Sequence, residues 1–316
     1  MFKQPFSRRA FLKLSAATAA VALAARWLAK PRLAQADLVA LPTRPLGKTG
    51  VSVTILGLGG EGVLRTWDQH DAAVAVIRRA VERGITYCDT APAYSASQDY
   101  YGRALGANRA RVFLASKTHD RTRDGSLRLL EDSLRRLRTD HLDLWQLHDL
   151  ETMEELEAIF GDGGAIHALE QAKRLGLVRF AGITGHYDPA VLAEAIRRYP
   201  FDTVLVALHA ADRARRSFIE ELLPVANTHR MGIIGMKVFA KGSLLHPETG
   251  LTATHALNYV LNLPISTSII GFRGVEEVDQ AVEIARHSHA LSPEDMAHIE
   301  ALAAPYAHDA NGFKRA

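Results

Sequence analysis

Eight short apolar runs, each followed by an amphipathic stretch, constrain this chain more than any other feature it has. They are VTILGLG (53–59), ITYCDT (85–90), RVFLAS (111–116), LDLWQLH (142–148), LVRFAGIT (177–184), TVLVAL (203–208), GIIGMKV (232–238) and STSIIG (266–271). Near-continuous apolar runs of this length predict strands buried on both faces, as in a parallel sheet. Between them, DAAVAVIRRAVERG repeats apolar residues at helical spacing and stops on Gly84. Glycine takes the left-handed conformation that ends helices. DGSLRLLEDSLRRL and AIHALEQAKRLG follow the same pattern. Eight such units in about 250 residues predict an α/β fold of the (β/α)8 TIM-barrel type, with a doubly wound parallel sheet as the alternative.

The first 36 residues stand apart from this rhythm. They hold the pair Arg8-Arg9 followed by Phe11, Leu12 and Lys13, an apolar run from Leu14 to Ala25, then Arg26 and the small-residue site Ala34-Gln35-Ala36. A basic start, a short apolar core and an A-x-A end predict a twin-arginine signal peptide over 1–36 and a mature domain over 37–316. The expected partner of the leader is the twin-arginine export machinery, and the expected destination is periplasmic or otherwise extracytoplasmic. The apolar run is shorter than the ~20 residues a membrane-spanning helix needs, so no stable membrane insertion is expected after processing.

Charge follows the same division. The leader carries seven of the 38 Lys and Arg and no acid, leaving 31 bases against 35 acids in the mature domain, a net charge of −4. That balance gives no basic surface for nucleic acid. Cys88 is the only cysteine, which excludes an internal disulfide and reads as a small core residue. No spacing of His, Cys, Asp and Glu predicts a metal site.

In a barrel of this kind, functional residues stand at the C-terminal ends of the strands. The second strand ends in CDTAPAY with Asp89 and Tyr94, the third in LASKT with Lys117, and the fourth in LWQLHD with His148. A carboxylate, a phenol, an ammonium and an imidazole at one mouth suit carbonyl reduction. A free tyrosine, with a pKa of ~10, is too weak an acid to protonate an alkoxide efficiently near neutral pH. An ammonium ~4 Å away contributes about 4 kcal/mol at an effective dielectric of 20, enough to lower the phenol by up to ~3 units. Asp89 would hold the amine charged, and His148 would orient the substrate oxygen.

These segments resemble the aldo-keto reductases, which are (β/α)8 barrels using nicotinamide cofactors. The resemblance runs from about Thr43 to His289 and rests on RPLGKTGVSVTILGLGG, ITYCDTAPAYSASQDYYGRAL, VFLASKT, LDLWQLHD, GLVRFAGITGH and LPISTSIIGFRGVEEV. It implies a catalytic tetrad of Asp89, Tyr94, Lys117 and His148, with Tyr94 as general acid/base. It also implies cofactor contacts from Thr184 and Gly185, where many members carry Ser-Asn, and from Leu205 in place of the usual Gln. Met236 stands nearest the position of the ring that commonly stacks on nicotinamide, a place a thioether can fill. Lys237 and Phe239 belong to the same segment, and Ile270, Gly271, Phe272 and Arg273 follow strand eight. Arg273 is the one cation left near the expected adenosine phosphate, beside Glu276 and Glu277. The cofactor implied is NADP(H) or NAD(H), with NADP(H) ahead.

His186 and His209 stand at strand ends, where lining the pocket and simple rim solvation both remain open. The tail over Ser292–Ala304 carries Met296, Ile299 and Leu302 at helical spacing, which predicts packing on the barrel and an open substrate pocket. The expected function is an exported oxidoreductase that moves hydride between the cofactor and an aldehyde, ketone or sugar. The alternatives are a cofactor-retaining epimerase or lyase, and a nucleotide-binding regulatory protein with little turnover.

Overall fold

A computed structural model describes residues 40–245 and 247–314, so the leader lies outside the described residues. The barrel is closed. Its eight parallel strands are β3 (Leu56–Gly62), β4 (Tyr87–Asp89), β5 (Phe113–Thr118), β6 (Leu142–Leu147), β7 (Val178–Gly185), β8 (Thr203–Ala207), β9 (Gly232–Met236) and β10 (Thr267–Phe272), with β10 pairing back onto β3. Each falls on one of the eight apolar runs. The largest boundary shift is at the first, where Val53 and Thr54 belong instead to an antiparallel hairpin of β1 (Thr43–Pro45) and β2 (Ser52–Thr54). The letters of Gly57, Gly59 and Gly62 fit a dinucleotide-binding fingerprint, yet they lie within β3 rather than in a turn opening a helix. The closed strand order excludes the doubly wound alternative.

Two layers of core hold the barrel. Its interior is filled by Tyr87, Phe113, Leu144, Leu205, Ile234 and Ile269, with Leu46 and Val53 of the hairpin region packed among them. Lys48 N donates to Arg230 O (2.9 Å), just before β9, so the hairpin closes the end where the strands begin. The second layer lies between strands and helices. Helix His70–Glu82 buries Ala73, Val76, Ile77, Ala80 and Val81, a stripe with the helical period, and Gly84 at φ +96° follows it. Helix Arg123–Leu137 begins where Gly125 N donates to the Thr122 hydroxyl (3.1 Å), which satisfies one of the free amides of its first turn. Cys88 in β4 is fully buried, and burial pushes its thiol up to about 12. Among the described residues no helix is long and apolar enough to cross a membrane.

The tail departs from expectation beyond Ala304. Helix Pro293–Ala303 packs on helix Ala253–Leu261, as its spacing predicts. The chain then returns through the short helix Ala307–Ala310, which packs on residues 240–245 after β9. Residues 307–314 thereby become part of the mouth, so the expectation of an open pocket fails on that side. No apolar periodicity marks those eight residues in the sequence.

Candidate active site

The ends of β4, β5 and β6 bring the four expected catalytic side chains together. Asp89 pairs with Ala115 in register and Lys117 with Gln146, so the carboxylate and the amine rise from adjacent strands. Lys117 Nζ is fully buried and donates to Asp89 Oδ1 and to Thr90 O (3.0 Å). Gln146 Nε2 donates to the other carboxylate oxygen of Asp89 (3.0 Å). Tyr94 arrives by a turn in which its N–H donates to Ala91 O (3.1 Å). Its ring centroid lies 4.8 Å from Lys117 Nζ, and its hydroxyl is 3.4 Å from His148 Nε2. Arg65 stands over the same ring at 5.1 Å, bonded to Glu61.

Burial sets the protonation of this cluster. It pushes the Tyr94 phenol up; Lys117 pulls it down, Asp89 and Glu61 push it up again, and the net direction is upward. The sequence-based expectation of a lowered phenol thus has its lowering partner in place, outweighed by desolvation in the closed cluster. Burial also lowers Lys117, but the charges and bonds of Asp89 and Tyr94 lift it above the ordinary lysine range, so it is an ammonium. His148 is held well below its ordinary value by burial and by Lys117, and is therefore neutral.

Several supporting residues carry no signal in the strand-end pattern. Arg121 donates to His148 O (2.8 Å) and Asp149 O (3.0 Å), clamping the backbone that bears the imidazole. Asp149 has φ +56°, a left-handed conformation uncommon outside glycine, and its carboxylate pairs with His186 Nδ1. Gly60 lies against the Tyr94 ring; the glycine-rich LGLGGEG was its only trace in the sequence. Gln146 reads there simply as part of an apolar strand.

The residues expected to hold a cofactor divide into three groups. Thr184 is buried at the end of β7 and accepts from Asp149 N (2.8 Å), while Gly185 is packed too close to Leu150 O to carry a side chain. Leu205, Ile270 and Phe272 turn into the core, and Gly271 packs against Glu61, which leaves those four only backbone to offer. Met236, the last residue of β9, is buried in the inner core with Leu205, Lys237 follows it, and Phe239 packs partly on the outer core. Lys237, Ala240, Lys241 and Gly242 all have positive φ, which curls this segment and brings its two lysines close enough to lower the Lys237 ammonium, after the larger effect of burial. Arg273 is 87% exposed and bonded to Glu277 (2.9 Å). His209 is fully buried near Lys237, and among the described residues neither of its ring nitrogens is bonded. Unspent hydrogen-bonding capacity and two cations beside the mouth fit a nucleotide with anionic phosphates. Among the described residues no group of three His, Cys, Asp or Glu side chains is placed to hold a metal.

Comparison with known proteins decides the family. The model of the aldo/keto reductase family matches residues 55–251. The chain belongs to the aldo/keto reductases. An L-galactose dehydrogenase of Arabidopsis thaliana is 28% identical over 304 residues, covering 83% of this chain and 94% of its own length. An uncharacterized oxidoreductase of Bacillus subtilis, YqkF, is 27% identical over 215 residues, 64% of this chain and 66% of its own. A Klebsiella pneumoniae aldo/keto reductase solved with NADP and acetate superimposes with a TM-score of 0.67 at 26% identity, over 80% of this chain and 93% of that one. The protein is thus a member of an enzyme family with a closed barrel, and Asp89, Tyr94, Lys117 and His148 converge at the C-terminal ends of its strands.

Proposed function

We propose that this aldo/keto reductase reduces an aldehyde, ketone or open-chain sugar with a nicotinamide cofactor, and that it does so outside the cytoplasm. The observation that carries the reading is the buried cluster of Tyr94, Lys117, Asp89 and His148 at the ends of adjacent strands. When bound, the nicotinamide supplies hydride to the carbonyl carbon. His148, neutral, donates its ring N–H to the carbonyl oxygen of the substrate and fixes its position. Tyr94 transfers its phenolic proton to that oxygen, and the Lys117 ammonium stabilises the phenolate left behind. Asp89 and Gln146 keep Lys117 charged and aimed. The reverse sequence serves alcohol oxidation, with Tyr94 as base.

Thr184, Gly185, Met236 and Lys237 would hold the nicotinamide side of the cofactor, with Leu205, Phe239, Ile270, Gly271 and Phe272 framing it. Arg273 would meet a 2′-phosphate, and NADP(H) is favoured over NAD(H). The relative that dehydrogenates L-galactose and the relative solved with NADP support the substrate class and the cofactor, respectively. The paired arginines of the leader support export of a folded, nucleotide-loaded enzyme, because the cofactor is plentiful where the chain folds. The test is consumption of NADPH or NADH by purified protein with a panel of aldehydes, ketones and sugars. Turnover with none of them, by protein that binds nucleotide, would overturn the reductase reading. Nucleotide found in denatured, exported protein would support loading before export; protein that is always empty would overturn it.

A further inference from the structure

Residues 311–314 are anchored more firmly than their sequence suggests. Asn311 Nδ2 donates to Ala211 O (2.8 Å), just beyond the end of β8. Lys314 has no exposed side-chain surface, and its Nζ donates to Asp212 Oδ1 (2.5 Å), Asp212 O (3.2 Å) and Arg215 O (2.9 Å). Asp212 is itself held, because its other carboxylate oxygen accepts from Ser217 Oγ (2.7 Å) and Ile219 N (3.0 Å). A buried charge pair with every bond satisfied locks one geometry, since either charge left alone would be costly.

Between these anchors stands Phe313. Its ring meets His186 edge to face at 6.3 Å and His209 at 6.1 Å, and Lys237 Nζ lies 5.5 Å from its centroid. Those three residues follow β7, β8 and β9, the strands whose ends bear Thr184, Leu205 and Met236. Beside the ring, neither nitrogen of His209 has a hydrogen-bond partner among the described residues. Buried polar groups are nearly always bonded. A buried imidazole without a partner, beside an aromatic ring, is hydrogen-bonding capacity that a ligand could use.

We propose that residues 311–314 are a latched strap in which Phe313 fills the nucleotide's place between β7, β8 and β9, so that nucleotide binding must displace the ring and uncover His209. The proposal rests on the cofactor reading above. The ligand it fits has hydrogen-bonding groups for His209 and an anionic group for Lys237, the chemistry of a dinucleotide. Lys314 and Asp212 form the latch. Only the opened strap binds, so apparent affinity is reduced by the fraction of molecules that are open.

The test uses the full chain and two variants, Phe313→Ala and Lys314→Met, each first confirmed to unfold cooperatively. Affinity for NADPH and for NADH is measured by fluorescence, and release of residues 313–316 by carboxypeptidase is followed by mass with and without NADPH. Both variants should bind at least one nucleotide about tenfold more tightly than the parent chain, and nucleotide should speed trimming of the parent. Binding by the variants alone would support the strap equally. Equal affinities in all three proteins, with trimming unchanged or slowed by nucleotide, would overturn the strap and leave the cofactor reading intact. Absence of binding to all three would overturn both.

Discussion

Tyr94 lies across Gly60 so closely that a methyl group on the glycine would stand 2.6 Å from the ring's Cδ2 and 3.1 Å from Asp89 O. The glycine is therefore a condition for the position of the phenol. Gly60→Ala should move the ring while leaving most of the barrel unchanged. A displacement of about 1 Å at a reacting group can cost ~10²-fold. The expected result is a kcat lowered by at least tenfold, with a thermal midpoint shifted far less than a core truncation would shift it. Paired kinetic and melting measurements check it, and unaltered kcat would show that the ring has room to give.

Tyr94→Phe removes the proton and keeps the ring. Its kcat should fall by about 10² to 10⁴, the usual contribution of a positioned general acid. Nucleotide affinity, read by fluorescence, should stay at the parent value. A variant that reduces carbonyls as fast as the parent would take Tyr94 out of the mechanism.

Lys117 and Asp89 should be inseparable in stability and separable in catalysis. Lys117→Met leaves a buried carboxylate without its cation, and breaking such a pair costs about 3–5 kcal/mol. Adding Asp89→Asn should recover much of that loss in urea unfolding. Activity should not recover, because the phenol has then lost the ammonium that lowers it. Recovery of both together would show that Lys117 is structural only.

Acid should weaken the fold through its neutral histidines. Burial, with help from Lys314 and Lys237, lowers His209 to about 3, and burial first lowers His148 and His186 too. An unfolded chain takes up these protons near pH 6.5 and the folded chain does not, so the contribution is complete above that pH and shrinks as pH falls below it. His209 adds a slope of about 1.4 kcal/mol per pH unit below pH 6.5, ending near its folded value. His209→Gln should therefore narrow the stability gap between pH 7 and pH 5 by about 2 kcal/mol. Equal gaps in parent and variant, by denaturant titration, would mean that His209 is protonated in the fold.

Cofactor choice should turn on the bond between Arg273 and Glu277. Arg273 is exposed and already paired with Glu277, which competes with a 2′-phosphate for the guanidinium. Glu277→Ala should raise affinity for NADPH relative to NADH, and Arg273→Ala should lower it. Titrations in which both ratios stay fixed would place phosphate recognition elsewhere.

How much of this was legible follows from the range of each interaction. The eight strands were, because a parallel strand buried on both faces writes a continuous apolar run such as LDLWQL. The convergence of Asp89, Tyr94, Lys117 and His148 was, because strand ends of a barrel share one face. Gly60 was hidden inside a glycine-rich run whose letters suit a phosphate loop as well. The clamp of Arg121 on His148 depends on two loops meeting, and the His186–Asp149 pair on a left-handed turn. Lys314 meets Asp212 across 102 positions. No local pattern records such a contact, and the charged end of a chain normally reads as solvated.

The buried sulfhydryl of Cys88 gives the barrel a clock. The sequence holds no second cysteine for it to pair with, and the thiol is fully buried. A thiol pushed up to about 12 offers almost no thiolate at neutral pH. A trapping reagent reaches it only when β4 leaves its neighbours, so each labelled molecule counts one opening of the strand that also carries Asp89. Labelling rates with and without nucleotide would then time how often the strand that carries Asp89 comes apart, on intact protein and without a substitution.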